Sequence, residues 1–158
     1  MKIIVVFFSR TGTTRKVGEM IAEKFGADTE EIKDTVDRSG VKGYLLSGRD
    51  AMRKRLTKLE PLKHNLAEYD LVVIGTPVWG WTVSVPMRTF VTEQKGIIKK
   101  TAFFCTMGGS GAERAFSEME KIIGKKPAGT LALTTKEVVA GNFSEKVEKF
   151  LSGLNKVK

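Results

Sequence analysis

The chain has 158 residues, 41% of them apolar, and is expected to form a single domain over residues 1–158 with a real buried core. One cysteine and one histidine exclude an internal disulfide framework, argue against a zinc site or any other metal centre, and fit a reducing, cytoplasmic setting. The formal charge of +9 favours anionic partners without choosing among them, and no apolar run approaches the length of a membrane span.

Ile3 to Phe8 is an unbroken apolar run, as expected of a strand buried on both faces. It is too short, and too directly followed by a polar loop, to read as a secretory leader. Ser9-Arg10-Thr11-Gly12-Thr13-Thr14 comes next. Val17, Met20, Ile21 and Phe25 then recur at helical spacing, which predicts a helix from Thr13 to about Phe25 with Gly26 as its stop. A loop between strand and helix presents free N–H groups at the positive end of the helix dipole. Ser9, Thr11, Thr13 and Thr14 add hydroxyl donors there. The arrangement reads as an anion cradle, most simply for a phosphate. The alternative is an ordinary turn capped by Ser and Thr. The loop holds no lysine and no GxxxxGK[ST] pattern, which disfavours a nucleoside triphosphatase.

Thr29 to Ile32 is a weak strand candidate for a sheet edge, where charges are tolerated. Residues 33–65 carry nine Lys/Arg against four Asp/Glu. From Tyr44 to Leu59 an amphipathic helix is predicted, with Leu45, Met52, Leu56 and Leu59 on one face and Arg49, Arg53 and Lys54 away from it. Its basic surface is either simply solvated or docks an acidic partner. No recognition-helix motif accompanies the charge, so sequence-specific nucleic-acid binding is not expected. His64 has no assigned role.

Asp70 to Gly75 is the second clear buried strand, and it delivers Thr76-Pro77-Val78-Trp79-Gly80-Trp81. Pro86 suits the first turn of a helix whose inward residues are Met87, Phe90 and Val91. Thr101 to Met107 is the next strand, with Cys105 as a core residue, and it ends in Gly108-Gly109-Ser110-Gly111. A helix carrying Ala115, Phe116, Met119, Ile122 and Ile123 follows, then a fifth strand, Thr130 to Thr134. Asn142 and Ser144 are candidate caps for a last helix with Val147, Phe150, Leu151 and Leu154 inward. The Lys156-Val157-Lys158 tail is expected to fray.

Five strand-helix alternations argue for a parallel sheet with helices on both faces, and such sheets bind ligands at the carboxyl ends of their strands. Three loops at those ends, residues 9–14, 76–82 and 106–111, are unusual in composition. The second offers two tryptophans, expected to be exposed, on which a flat heteroaromatic ring could stack. Trp79 is the first choice and Trp81 the second. In the third, Gly108 and Gly109 let the backbone approach a ring edge closely.

Ser-x-Thr-Gly-x-Thr at 9–14, Thr-Pro-Val-Trp at 76–79 and Thr-Met-Gly-Gly at 106–109 resemble, in order, the three flavin loops of flavodoxins. The resemblance covers nearly the whole chain and is to the short-chain type, because no long insertion interrupts the fifth-strand region. It implies a flavodoxin-like three-layer α/β sandwich with a five-stranded parallel sheet in the order 2-1-3-4-5, and FMN as cofactor. It assigns the phosphate to Ser9, Arg10, Thr11, Gly12, Thr13 and Thr14. It assigns the ring to Thr76, Pro77, Val78, Trp79, Gly80, Trp81, Thr106, Met107, Gly108 and Gly109. Response-regulator receiver domains share the architecture but need acids where this chain has Ser9 and Arg10.

The resemblance implies an electron carrier between redox partner proteins, with no catalytic side chain. The alternative on the same fold is an NAD(P)H-dependent flavin or quinone reductase, or an oxidase, in which Arg10 and Arg88 would hold a nicotinamide phosphate. A cofactor-free interaction module is a third reading. The chain departs from the family in charge, since carriers of this type are typically acidic. Its basic 42–63 segment suggests an acidic partner. Arg10 and Arg88 near the ring are expected to make the reduction potential less negative by favouring the anionic reduced flavin.

Overall fold

The computed structural model describes residues 1–155; the tail expected to fray lies outside them. In chain order the elements are β1 (Ile3–Phe7), α1 (Thr13–Phe25), β2 (Asp28–Glu31), α2 (Gly40–Met52), β3 (Leu71–Trp79), β4 (Thr82–Val83), α3 (Val85–Gln94), β5 (Thr101–Met107), α4 (Ala112–Ile123), β6 (Thr130–Thr134), α5 (Thr135–Ala140) and α6 (Ser144–Asn155). The sheet runs β2-β1-β3-β5-β6, all parallel, and the short β4 folds back antiparallel on the end of β3. Counting the parallel strands alone, this is the 2-1-3-4-5 order that the resemblance implies.

The continuous apolar runs follow from burial on both faces. Ile4, Val6, Val72, Ile74 and Phe103 face one layer, where α3 and α4 supply Met87, Phe90, Val91, Met119 and Ile123. Ile3, Val5, Phe7, Val73 and Phe104 face the other, against Val17 and Ile21 of α1, Val138 of α5 and Val147, Phe150 and Leu151 of α6. Gly75 is required by this packing: a Cβ there would lie 2.0 Å from the Phe104 ring. Cys105 is fully buried on β5, and burial pushes its thiol up to about 12, so it is no nucleophile.

The edge strand β2 is fastened by charge. Arg15 of α1 forks onto Glu31 at 2.6 and 2.7 Å, and this bond holds the Glu31 carboxyl below the usual range. Glu30 is buried and accepts from the Lys63 and His64 N–H groups, with the His64 ring 3.0 Å away. His64 therefore braces the loop that precedes β3.

Three expectations are corrected, and one element is added. The basic helix starts at Gly40 and ends at Met52 rather than spanning 44–59, and Lys54 just beyond it has a φ of 54°. Its inward face is Gly43, Ser47, Asp50 and Ala51, while Leu45, Met52 and Leu56 are exposed. Strand β3 does not stop at Gly75 but continues to Trp79 and forms a hairpin with β4. A short helix, α5, was not foreseen. Its signature is present as a capping box, in which Thr134 accepts from the Glu137 N–H and Glu137 accepts from the Thr134 N–H.

Candidate functional site

The loops after β1, β3 and β5 lie at one edge of the sheet, as parallel topology requires. In the first, Gly12 sits at φ 98° as the N-cap of α1, and no side chain caps the helix. The first N–H groups of α1 are thus left without an intrahelical acceptor. Ser9 Oγ accepts from the Gly12 N–H at 3.0 Å and shapes the turn. The hydroxyls divide into two sets. Thr14 is buried and its hydroxyl is 2.8 Å from that of Thr106, a brace between the first and third loops. Thr11 is exposed and Thr13 half-buried, with their hydroxyls 3.5 Å apart. Arg10 turns toward α2, donating to the Arg38 carbonyl at 3.3 Å, with its guanidinium 5.5 Å from the Tyr44 ring centre.

The second loop is the β3–β4 turn. Gly80 and Trp81 have φ of 55° and 62°, the two left-handed positions of a tight hairpin turn. Left-handed backbone is strained for a residue as bulky as tryptophan, and here it holds the indole out, 60% exposed. Trp79 is the opposite case and corrects the expectation of an exposed pair. It is only 8% exposed, edge-on to Phe8 at 5.4 Å, with the Arg38 guanidinium 5.5 Å from its ring centre. Thr76 is also turned inward: it donates to Ser84 Oγ at 2.9 Å and accepts from the Ser84 N–H at 3.0 Å, pinning β3 to the start of α3. Pro77 and Val78 are half-buried, and Val78 faces the cleft.

In the third loop Thr106 is buried, Met107 half-buried, and Gly108, Gly109 and Ser110 exposed with open space around both glycines. Gly111, at φ 105°, brings this loop onto the hairpin, where a Cβ would meet Val78 at 2.6 Å.

Between the hairpin and the third loop opens a cleft of about 860 Å³, within the range of small-molecule sites. Its remaining wall is α2: Tyr44, Leu45, Gly48, Arg49, Met52 and Arg53. A Cβ on Gly80 would lie 2.7 Å from the Gly48 carbonyl, so helix and hairpin touch backbone to backbone. Sequence reasoning missed this wall because it assigned the apolar stripe of α2 to the core. The residues 9–14 do not line the cleft, but Arg10 meets its Tyr44 and Thr14 is bonded to Thr106 at the foot of its third loop. Arg88 is not part of the site. It is 5% exposed, paired with Glu118 at 3.2 Å and 3.4 Å from the Thr82 hydroxyl, which removes it as a nicotinamide anchor. The described residues contain no cluster of potential metal ligands, and no helix among them is long and apolar enough to cross a membrane.

The sheet order defines a doubly wound α/β protein, and the cleft lies at the carboxyl ends of its strands, where such sheets bind ligands. The sequence profile of the flavodoxin family matches residues 2–149, and the chain belongs to that family. No curated protein matches it. A flavoprotein from Lactobacillus acidophilus, solved in complex with FMN, is 23% identical with a TM-score of 0.74, covering 94% of this chain and 97% of that one. A candidate flavoprotein from Bacteroides uniformis, 23% identical, gives a TM-score of 0.79 over 96% and 97% of the two chains. Oxidised flavodoxin 2 from Bacillus cereus is 18% identical, with a TM-score of 0.58 over all of both chains. These likenesses carry the fold.

Proposed function

We propose that the chain binds FMN in this cleft and passes electrons between redox partners. The observation that carries the reading is the convergence of an uncapped, hydroxyl-bearing helix start, an open glycine loop and an outward-held Trp81 at one sheet edge. The phosphate would be held by the first N–H groups of α1 and the hydroxyls of Thr11 and Thr13, with Ser9 and Gly12 shaping the loop and Thr14 bracing it. The ring would be held by Trp81, Gly108 and Gly109, with Val78 beneath and Tyr44, Leu45 and Met52 opposite. When bound, the flavin supplies the redox chemistry, and the protein supplies orientation, water exclusion and electrostatics. Arg49 and Arg53 on the cleft wall, rather than Arg88, would be the positive charges beside a bound ring and would make its potential less negative. They also give an approaching partner a basic rim, which selects for an acidic surface.

The two tryptophans separate by experiment. Trp81→Ala is expected to restore much of the flavin fluorescence lost on binding, with little loss of stability. Trp79→Ala is expected to cost about 3 kcal/mol of folding stability, as for truncation of a large aromatic in a core. A fluorescence titration and a urea melt of both variants check this. Fluorescence restored by Trp79→Ala alone would reverse the assignment.

Carrier and reductase differ in their answer to nicotinamides. The FMN complex, kept anaerobic, is expected to stay yellow when NADH and then NADPH are added, because a carrier needs a separate reductase. Rapid bleaching of the visible band, repeated after each addition of a quinone, would make the protein a reductase instead.

A further inference from the structure

We infer that Arg15 reads the phosphate: its free Nη1 supplies a fixed cation to an anion held at the start of α1. The inference rests on the FMN reading above and assigns a residue to which that reading gives no part. Arg10 is the cation that the sequence places in this loop, but its guanidinium points to the Arg38 carbonyl and the Tyr44 ring. Arg15 is held differently. Two of its guanidinium nitrogens are fixed by Glu31: Nε donates to Oε1 at 2.6 Å and Nη2 to Oε2 at 2.7 Å. Nη1 has no hydrogen-bond partner among the described residues. It lies beside the cradle, since a Cβ on Gly12 would be 3.6 Å from it. The side chain is 41% exposed, so an anion can reach Nη1 from solvent.

The charges around Arg15 demand an anion. The first backbone bond of α1 runs from the Lys16 N–H to the Gly12 carbonyl at 3.1 Å, so the N–H groups of Thr13, Thr14 and Arg15 have no intrahelical acceptor. Arg15 and Lys16 add positive charge at this positive end of the dipole, and the first turn holds no acid to balance it. A local rule broken in this way is a mark of a functional position. Glu31 does not cancel the charge. It is shared with Lys33 at 3.2 Å, so two cations face one carboxylate and a net positive charge is left beside the loop. The fork on Glu31 also fixes the guanidinium plane before any ligand arrives, which spares much of the cost of ordering a long side chain.

The test is a set of fluorescence titrations with FMN and with riboflavin on the full chain and three variants, each also melted in urea. Neither Arg15 nor Glu31 lines the cleft, so riboflavin affinity is expected to stay at the parent value throughout. Arg15→Gln should weaken FMN about tenfold, and the ratio of FMN to riboflavin affinity should fall by the same factor. Arg15→Lys keeps the charge without the fork and should fall between the two. Glu31→Gln leaves one oxygen for Arg15 and removes a negative charge beside the phosphate, so FMN should bind more tightly. Both Arg15→Gln and Glu31→Gln break the fastening of β2 and should lower the urea midpoint. Opposite effects on FMN with like effects on stability are what a purely structural ion pair does not give. An unchanged ratio in Arg15→Gln would overturn the inference and leave the FMN reading standing, provided the parent prefers FMN. Equal weakening of FMN by Arg15→Gln and Glu31→Gln would reduce the pair to a strand fastener. A parent that binds both flavins alike would remove the phosphate reading, and the role of Arg15 with it.

Discussion

Replacing Thr11 and Thr13 together by valine weakens FMN binding by about 3 kcal/mol, roughly a hundredfold in Kd, because two hydrogen bonds to a charged phosphate are lost at about 1.5 kcal/mol or more each. Valine keeps the shape of threonine, so the loop is preserved. The loss falls on binding because neither hydroxyl has a buried protein partner: Thr11 is exposed, and the 3.5 Å contact between the two is at the limit of a hydrogen bond. Thr14→Val is the internal comparison. Its hydroxyl is bonded to Thr106 in the interior, so its removal lowers folding stability and leaves the phosphate contacts in place. Isothermal titration with FMN and a urea melt on each variant measure the two effects. A double variant that binds FMN like the parent would show that the N–H groups of α1 hold the phosphate without help.

Arg38→Met lowers folding stability by about 3–5 kcal/mol, the cost of leaving buried carboxylates without their partner. The Arg38 and Asp34 side chains are 4% and 3% exposed and lie 2.6 Å apart, and Asp50 is 3.5 Å from the same guanidinium. The network also holds the cleft wall in place. Helix α2 buries almost no large apolar surface, and its attachment rests on close backbone contact and on this charge cluster. A Cβ on Gly43 would lie 2.1 Å from the Arg38 backbone, and the Arg38 guanidinium reaches Ser47 and Asp50 on the inner face of the helix. The urea midpoint should fall with the slope of the transition unchanged. Arg38→Lys should recover part of the loss, since it restores the charge without the fork. A midpoint within experimental scatter of the parent would show that α2 is held by other means.

What could be read from the sequence follows from where one physical effect acts alone. The runs at Ile3–Phe8, Asp70–Gly75 and Thr101–Met107 lie in strands covered on both faces, so hydrophobicity located them. The three loops were legible because the ends of parallel strands are where polar and glycine residues have no structural reason to cluster. Reading failed where burial was achieved by pairing rather than by apolarity. Arg88, expected as a positive charge near the ring, is buried because Glu118 and Thr82 take its guanidinium. Helix α2 misled for the converse reason: its real inward face is small and polar, so the apolar stripe appeared to be the core. The tryptophans sit two apart, which on a regular strand would put them on one face, but Trp79 is the last residue of β3 and Trp81 lies in the left-handed turn beyond it, so one is turned inward and the other out. Their separation was invisible while that strand was taken to end five residues earlier than Gly80.

The most direct test of the central claim is a pair of fluorescence titrations, one with FMN and one with riboflavin, on the same preparation. The account places the phosphate at the start of α1, so FMN should bind at least about a hundredfold more tightly than riboflavin. Equal affinities would mean that the loop at 9–14 does not hold a phosphate. No binding of either would mean that the cleft between α2, the hairpin and the glycine loop serves a different ligand.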